Sequence, residues 1–579
     1  MWRIRLALTI FFLAFLTIIF RLFYWQVLAS DRLAIAGYNQ YTKRVDLPAW
    51  RGEIKTNDGF VLATNETAYT LSLVKKELKD KPEILAAKLA PLFTSPQPDA
   101  LATLSGLLKQ PSPEEVKEAI IKKLSNSEAL WIPLFRKVDK TIKDKIEQDK
   151  IPGVYFEAEQ KRFYPEASLS AQILGFLGQN YNGEDRGYFG LEGFYDRELR
   201  GNNGAISEEK DVYGRPILIG DKTIKRPENG RSLILNIDRT VQYIVEERLK
   251  QGIEKYGAKA GSVVVMDPKT GGILAMASFP KYDVSEWFKF DSKLYKNPVV
   301  ADSYEPGSTF KVLVMAAALN EGVVDPDTKC DQCTGPREIG GYTIRTWNNK
   351  YFPNTTMTEV LEHSDNTGMV FTMQRLKKDK FLDYLRKFGL GTPTGIDLEE
   401  ETSPYFRPNQ DWREIDLATT AFGQGIALTA MQMLRAVGAI ANGGNLMEPH
   451  VVKTVVTPEG TKIDILPKLI RNVVMSKTTK VLTEMMIQAV DRGEAKWAKP
   501  QGYRIAGKTG TAQIPVAGHY DDRRTIASFV GFAPADNPKF VMLVRLSEPT
   551  TSPWGSETAA PLFFNIAKEL FSYYGIGPQ

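Results

Sequence analysis

A chain of 579 residues is long enough for more than one domain. Its hydrophobic share of 43% and charged share of 25% are ordinary for a folded protein, and a net charge of +5 without a dense basic tract gives nucleic-acid binding no support. Three histidines (His363, His450, His519) argue against a multi-histidine metal centre, and one Cys330-x-x-Cys333 pair cannot by itself complete a four-ligand zinc site.

The first readable element is apolar. Residues 6–20 form an unbroken run rich in Leu, Ile and Phe, and after Arg21 it resumes over 22–29. As a helix, 6–29 would be roughly 36 Å long, enough to cross a hydrocarbon layer of roughly 30 Å. Arg3 and Arg5 precede it and place residues 1–5 in the cytoplasm by the positive-inside rule, with Arg21 snorkelling outward beside Tyr24 and Trp25. A cleaved signal peptide is the rival. The span is longer than the usual apolar stretch of roughly 7–15 residues, which favours a retained anchor. No second comparable span is seen, so one membrane helix is expected, with the remainder outside the cytoplasm.

Arg51-Gly52-Glu53-Ile54, Asn57-Asp58-Gly59 and Val61-Leu62-Ala63 read as strand, turn and strand. Residues 77–147 read as a charged, largely helical insertion. The polar stretch 221–230 reads as a domain boundary. Beyond it come a strand at 233–238, a helix at 240–256, a hairpin over 261–277, late strands at 504–512, 525–532 and 540–546, and a closing helix at 560–574. Strands at both ends of a helical middle predict an α+β domain whose sheet joins its two ends.

The chemistry-bearing stretch is Glu305-Pro306-Gly307-Ser308-Thr309-Phe310-Lys311, followed by an apolar run to Leu319. A Pro-Gly breaker and a Ser place Ser308 near a helix N-terminus, with Lys311 one turn on along the same face. Orphan N–H groups there can hold an oxyanion, and an amine can take the hydroxyl proton. Taken alone, the pattern also fits an N-capping serine with a surface lysine, and Ser72-Leu73-Val74-Lys75 and Ser207-Glu208-Glu209-Lys210 match it too. Two later stretches decide between them: Ser364-Asp365-Asn366, and Lys508-Thr509-Gly510-Thr511. Lys269-Thr270-Gly271 precedes the nucleophile at a hairpin tip and is set aside.

The order Ser-x-x-Lys, Ser-x-Asn, Lys-Thr-Gly resembles the penicillin-binding protein and serine β-lactamase superfamily. Arg51-Gly52 with Asp58-Gly59, Arg162-Phe163-Tyr164-Pro165, Gly190-Leu191-Glu192, Phe422-Gly423-Gln424-Gly425 and Ser528-Phe529-Val530-Gly531-Phe532 extend the likeness to class B penicillin-binding proteins. The Lys-Thr-Gly-Thr-Ala-Gln form looks most like the division-specific septal type. Thr56-Asn57 departs from the family's Asp-Arg, which touches a detail of the pedestal or of partner contacts.

The resemblance implies a transpeptidase fold over 231–579, with a central antiparallel sheet, flanking helices and an all-helical lobe. It also implies an extended mixed α/β pedestal or dimerisation domain over 30–230. The implied reaction is D,D-transpeptidation of D-Ala-D-Ala stem peptides through an acyl-enzyme on Ser308, with β-lactams as mimics. Lys311 would be the base and Ser364 the relay to the leaving amine. Asn366 would orient the base, and Lys508 would be the cation that lowers its proton affinity and draws the substrate carboxylate. Thr509, Gly510 and Thr511 would form the substrate-binding strand. No metal or organic cofactor is implied. Expected partners are a SEDS-family glycosyltransferase and other divisome proteins. The alternatives are a D,D-carboxypeptidase or β-lactamase on the same fold, or a non-catalytic sensor or scaffold. The Glu-x-x-Leu-Asn pattern of class A β-lactamases does not occur. His363 reads as structural. Cys330 and Cys333 read as a local disulfide or two free thiols, and Trp347, Trp412 and Tyr520 receive no role.

Overall fold

The computed structural model describes residues 1–33, 42–93, 112–126, 129, 131–166, 168–181, 183–209, 222–516 and 519–578. Lys210, Asp221 and the middle of the expected helical insertion (94–111) lie outside the described residues. The chain forms two compact units, one from residues 1–51 and 200–230, the other from 52–199 and 231–579.

In the first unit a helix runs over Trp2–Phe23 and ends in a wider turn at Tyr24–Leu28. The helix begins ahead of the apolar run, because nothing in Trp2-Arg3-Ile4-Arg5 opposes a helix and Arg is a good helix former. Among the described residues it is the one helix long and apolar enough to cross a membrane. The Arg21 guanidinium lies 5.3 Å from the Trp25 ring centre, and Tyr24 meets Trp25 edge-on, so the charge and the interfacial aromatics share one end. The unit also holds a three-stranded antiparallel sheet of Thr42–Leu47, Gly204–Glu209 and Lys222–Lys225.

The second unit has a pedestal portion built around the 14-residue strand Val61–Val74. It pairs antiparallel with Trp131–Val138 and Val154–Phe163. Helices Pro82–Leu89 and Pro113–Asn126 pack on this sheet around Leu71, Leu85, Ile120 and Ile132. Within the stretch 77–147, expected to be largely helical, the described residues are helical at Pro82–Leu89, Pro113–Asn126 and Lys140–Gln148, and one segment departs from the expectation. Trp131–Val138 is a strand: its Trp, Ile, Phe and Val suit a pleated, half-buried surface better than a helix, and Pro133 is tolerated at a sheet margin. Three of the sequence signatures meet here. Arg162 gives Nε to Glu192 Oε1 at 2.7 Å and Nη1 to the Gly52 carbonyl at 2.7 Å, all buried. The divergent Thr56-Asn57 closes the hairpin: Asn57 N donates to Ile237 O, and Lys453 Nζ donates to Asn57 Oδ1 at 2.7 Å.

The catalytic portion is a five-stranded antiparallel sheet. Its strands are β1 (Ala260–Met266), β2 (Ile273–Phe279), β3 (Ala506–Val516), β4 (His519–Ala533) and β5 (Phe540–Ser547), in spatial order β2-β1-β5-β4-β3. The two ends of this domain thus share one sheet, as the α+β reading requires. Alternation along β5 sorts the core. Phe540, Met542, Val544 and Leu546 face the helices Arg239–Tyr256 and Ala559–Tyr573, while Val541 and Leu543 face Lys311–Asn320 and Ala430–Ala441. With both faces covered, the strand reads as a nearly continuous apolar run. Cys330 and Cys333 are buried and bonded to one another, which resolves that pair to a disulfide.

Candidate active site

The Ser308 stretch begins where Ser303–Tyr304 pairs with Leu428–Thr429. Gly307 then takes a left-handed turn (φ +56°), and a Cβ there would stand 2.8 Å from the Thr511 carbonyl. Its N–H donates to the Gly423 carbonyl at 3.0 Å. Gly423 is itself left-handed, and a Cβ would lie 2.1 Å from Gly307 O. The Phe-Gly-Gln-Gly segment is therefore a backbone clamp on the turn that carries Ser308, and only glycine fits at both contacts. Gly307–Phe310 form a tight turn of 3₁₀ helix, and the α-helix proper starts at Lys311. Ser308 thus lies in the first turn of the helix, as its Pro-Gly breaker requires, half-buried and with Lys311 three residues on.

Lys311 is fully buried and its ammonium site is crowded by acceptors. Nζ lies 2.6 Å from the Ser364 carbonyl, 3.2 Å from Ser364 Oγ and 2.8 Å from Asn366 Oδ1. Burial pulls its proton affinity well below the ordinary lysine value, and the nearby Lys508 pulls it further; Asp365 and Glu494 oppose this. Burial and Lys508 both favour the neutral amine over the ammonium at this position.

Ser364 owes its place to its backbone. Helix Met357–Glu362 ends, and Ser364 turns left-handed (φ +55°), a conformation costing about 1–3 kcal/mol in a non-glycine residue. Asp365 then caps the next helix, Asn366–Leu376, its Oδ1 accepting from Thr367 N at 2.7 Å and Gly368 N at 3.1 Å. That cap sets Asn366 as the first helical residue, with Oδ1 on Lys311 and Nδ2 donating to Arg345 O at 2.9 Å. Each residue of Ser-Asp-Asn has a distinct task, and the middle one faces away from the cleft.

Lys508 is buried on β3, with Nζ 3.1 Å from Thr509 Oγ1; burial pulls it down to about 8, and Glu494 works against that. Gly510 lets β3 press on the nucleophile turn, since a Cβ would sit 2.6 Å from Ser528 Oγ and 2.8 Å from Thr309 Cγ2. Thr511 Oγ1 accepts from Gly555 N at 3.0 Å, which ties β3 to the loop carrying Trp554. Ser308, Ser364, Asn366, Thr509 and Thr511 line one cleft of about 460 Å³, within the usual range for small-ligand sites. The structure therefore brings the three motifs together. It also removes the decoys: Lys269 and Thr270 sit on a hairpin turn, while Ser72 and Ser207 lie on strands.

These features match what comparison finds. Residues 261–568 fit the model of the penicillin-binding protein transpeptidase domain, and residues 46–235 fit that of the penicillin-binding protein dimerisation domain. The chain belongs to the class B penicillin-binding proteins. It is 33% identical to stage V sporulation protein D of Bacillus subtilis, over all of this chain and 87% of that one. It is 28% identical to peptidoglycan D,D-transpeptidase FtsI of Escherichia coli, over all of this chain and 93% of the relative. Among solved structures, a peptidoglycan synthetase from Bifidobacterium adolescentis superposes with a TM-score of 0.72 at 26% identity, covering 93% of this chain and 98% of the other. Penicillin binding protein 3 of Mycobacterium tuberculosis, complexed with ampicillin, gives 0.69 at 27% identity, covering 92% and 97%.

Several cleft residues of this penicillin-binding protein carried no signal in the sequence. Trp347 and Trp554 bring their rings to 5.0 Å at one wall, and Arg345 lies beside them. Glu494 is a lone carboxylate among the lining residues. Nothing in Arg492-Gly493-Glu494-Ala495 marks it as special. Trp412, by contrast, is core, and His363 stacks on Phe352 at 4.4 Å without lining the cleft. Among the described residues no cluster of three or more His, Cys, Asp or Glu is arranged to hold a metal.

Proposed function

We propose that this protein is a serine peptidoglycan D,D-transpeptidase of the septal type, anchored in the membrane, with Ser308 as nucleophile. The observation that carries the reading is the buried Lys311 amine, held by Ser364 and Asn366, which line one cleft with Ser308. Ser308 Oγ attacks the carbonyl between the two terminal D-alanines, and its proton passes to neutral Lys311 Nζ. The tetrahedral oxyanion is held by the N–H groups of Ser308 and Thr511; losing one such donor typically costs about 3 kcal/mol of transition-state stabilisation. Lys311 returns the proton through Ser364 Oγ to the leaving D-alanine amine as the C–N bond breaks. An amine of a neighbouring stem peptide then attacks the ester and gives a proton to Lys311, which passes it to Ser308 Oγ as the acyl C–O bond breaks, so that free Ser308 and neutral Lys311 are regenerated. Lys508, Thr509 and Thr511 receive the donor's terminal carboxylate. Gly510 keeps that strand close to the nucleophile turn.

β-Lactams enter the same route and stay as acyl-enzymes. Residues 1–5 lie in the cytoplasm, 6–29 span the membrane, 30–230 form the pedestal and 231–579 form the transpeptidase domain outside. A SEDS-family glycosyltransferase and other divisome proteins are the expected partners. The test is labelling with a fluorescent penicillin. The wild type labels and Ser308→Ala does not; equal labelling of both ends the proposal. Slow release of the label marks a transpeptidase, and rapid β-lactam turnover marks a hydrolase on the same fold.

A further inference from the structure

Glu494 is out of place in a cleft that has to capture a carboxylate. It is the one acidic residue among those lining the site, and it stands with Ser364, Asn366 and Thr509. Like charges repel across such distances by on the order of 1 kcal/mol even at high effective dielectric. A solvated surface glutamate would be the bland account, but its backbone is not that of a free loop. Glu494 follows helix Ser476–Asp491, between buried Gly493 and buried Ala495. A Cβ at Gly493 would meet Ala489 O at 2.2 Å and Glu362 O at 3.1 Å, so the turn is pressed against the helix that leads into Ser364. Arg492 reinforces the contact through Glu362 at 3.7 Å.

The charges around it are placed asymmetrically. Lys508 from β3, Lys311 from the nucleophile helix and His363 from the turn before Ser364 favour its ionised form. Burial of the carboxyl group, the largest influence, opposes it, and Glu557 from the loop after β5 adds to that, so the carboxyl is held above its ordinary value on balance. Arg345 lines the same cleft, Asp365 acts on Lys311, and Lys496 follows Glu494 by two residues. Glu494 has no hydrogen-bond or ion-pair partner among the described residues. Buried Lys508 likewise meets no carboxylate at ion-pair distance; its hydrogen bonds go to Thr509. Glu494 and Thr509 line one cleft, and Lys508 Nζ lies 3.1 Å from Thr509 Oγ1, so an unpaired carboxylate and an unpaired ammonium belong to the same site.

We infer that Glu494 is a positioning residue of acylation: it keeps Lys508 an ammonium while the cleft is empty and yields that ammonium to the incoming substrate carboxylate. The inference rests on the transpeptidase reading of the cleft. It gives Glu494 two opposed effects. It preserves the cation that captures substrate, and it competes weakly with the substrate for that cation.

The experiment measures the second-order rate of labelling by a fluorescent penicillin against pH, for wild type, Glu494→Gln, Glu494→Ser and Glu494→Asp of the full chain in detergent. The neutral variants lose the alkaline limb about one pH unit earlier than wild type, the size expected on removing one nearby opposite charge. On the acid side, where Lys508 stays protonated without help, they label as fast as wild type or faster. Glu494→Asp restores the wild-type profile. A purely structural glutamate would lower the rate at every pH without moving the limb, and that result, or superimposable profiles, overturns the inference. The exposed side chain makes a folding failure of both neutral variants a sign of structural need and counts against it equally. Wild-type labelling that survives Ser308→Ala would instead strike the transpeptidase reading itself.

Discussion

Two stretches of this molecule carry the same four-residue pattern and do opposite things with it. Ser308-Thr309-Phe310-Lys311 lies on a tight helical turn, so Ser and Lys, three apart, share a face. Ser72-Leu73-Val74-Lys75 lies at the end of a long strand, where residues three apart point to opposite faces. Ser72 is buried under the pedestal sheet with its hydroxyl unpartnered, while Ser308 is half-buried at a cleft. The pattern becomes chemistry only where the backbone repeat brings its two ends together and a second element supplies partners for the amine.

The comparison can be broken most directly at the serines. Ser308→Ala should abolish penicillin labelling, read as fluorescence on a gel. Lys311→Met, close in shape but without the amine, should slow acylation by about 10²–10⁴-fold, the usual range for a general base, measured in stopped flow. Gly423→Ala forces a Cβ to 2.1 Å from Gly307 O at a positive φ and should shift the nucleophile turn. A loss of about 10²-fold in acylation with near-normal melting is expected, since misplacement by an ångström suffices for that. Acylation by wild type should trace a bell. The rate climbs as buried Lys311 sheds its proton, at a pH well below the ordinary lysine value. It falls through about 8 as Lys508 loses its own. The two limbs belong to the coupled pair of lysines. The smallest effect is at the decoy: Ser72→Ala should leave labelling unchanged and melting equal or slightly higher, because it removes an unsatisfied buried hydroxyl.

What could be read in advance follows the same logic. The late strands were legible because β5 is apolar on both faces, and the nucleophile helix because a Pro-Gly breaker precedes an apolar run. Trp131–Val138 was missed because its pairing with Val61–Val74 is a long-range contact, and its charged helical flanks dominated the local pattern. The left-handed Ser364 is set by an abutting helix and a following cap, and no single-residue propensity predicts it. Glu494 was invisible for a related reason: its meaning comes from Lys508 on β3, which is near in space through a turn whose glycine is fixed by backbone contacts. Motif residues announce themselves by order and spacing. Residues that tune them are recruited by proximity alone.

The strand Ser232–Leu235 pairs in parallel with Ile54–Lys55 on one side and antiparallel with Val452–Val456 on the other. Pedestal and catalytic portion are therefore stitched into one sheet, which continues to the hairpin strand Lys462–Asp464. A fragment cut at residue 231 would start with a raw strand edge where Ile54–Lys55 had been, a template for pairing with another chain. For anyone preparing the enzyme, the sensible place to cut is ahead of Gly52. For the cell, a tug on the pedestal would reach the catalytic portion through a row of hydrogen bonds loaded in shear, without first having to stretch a slack linker.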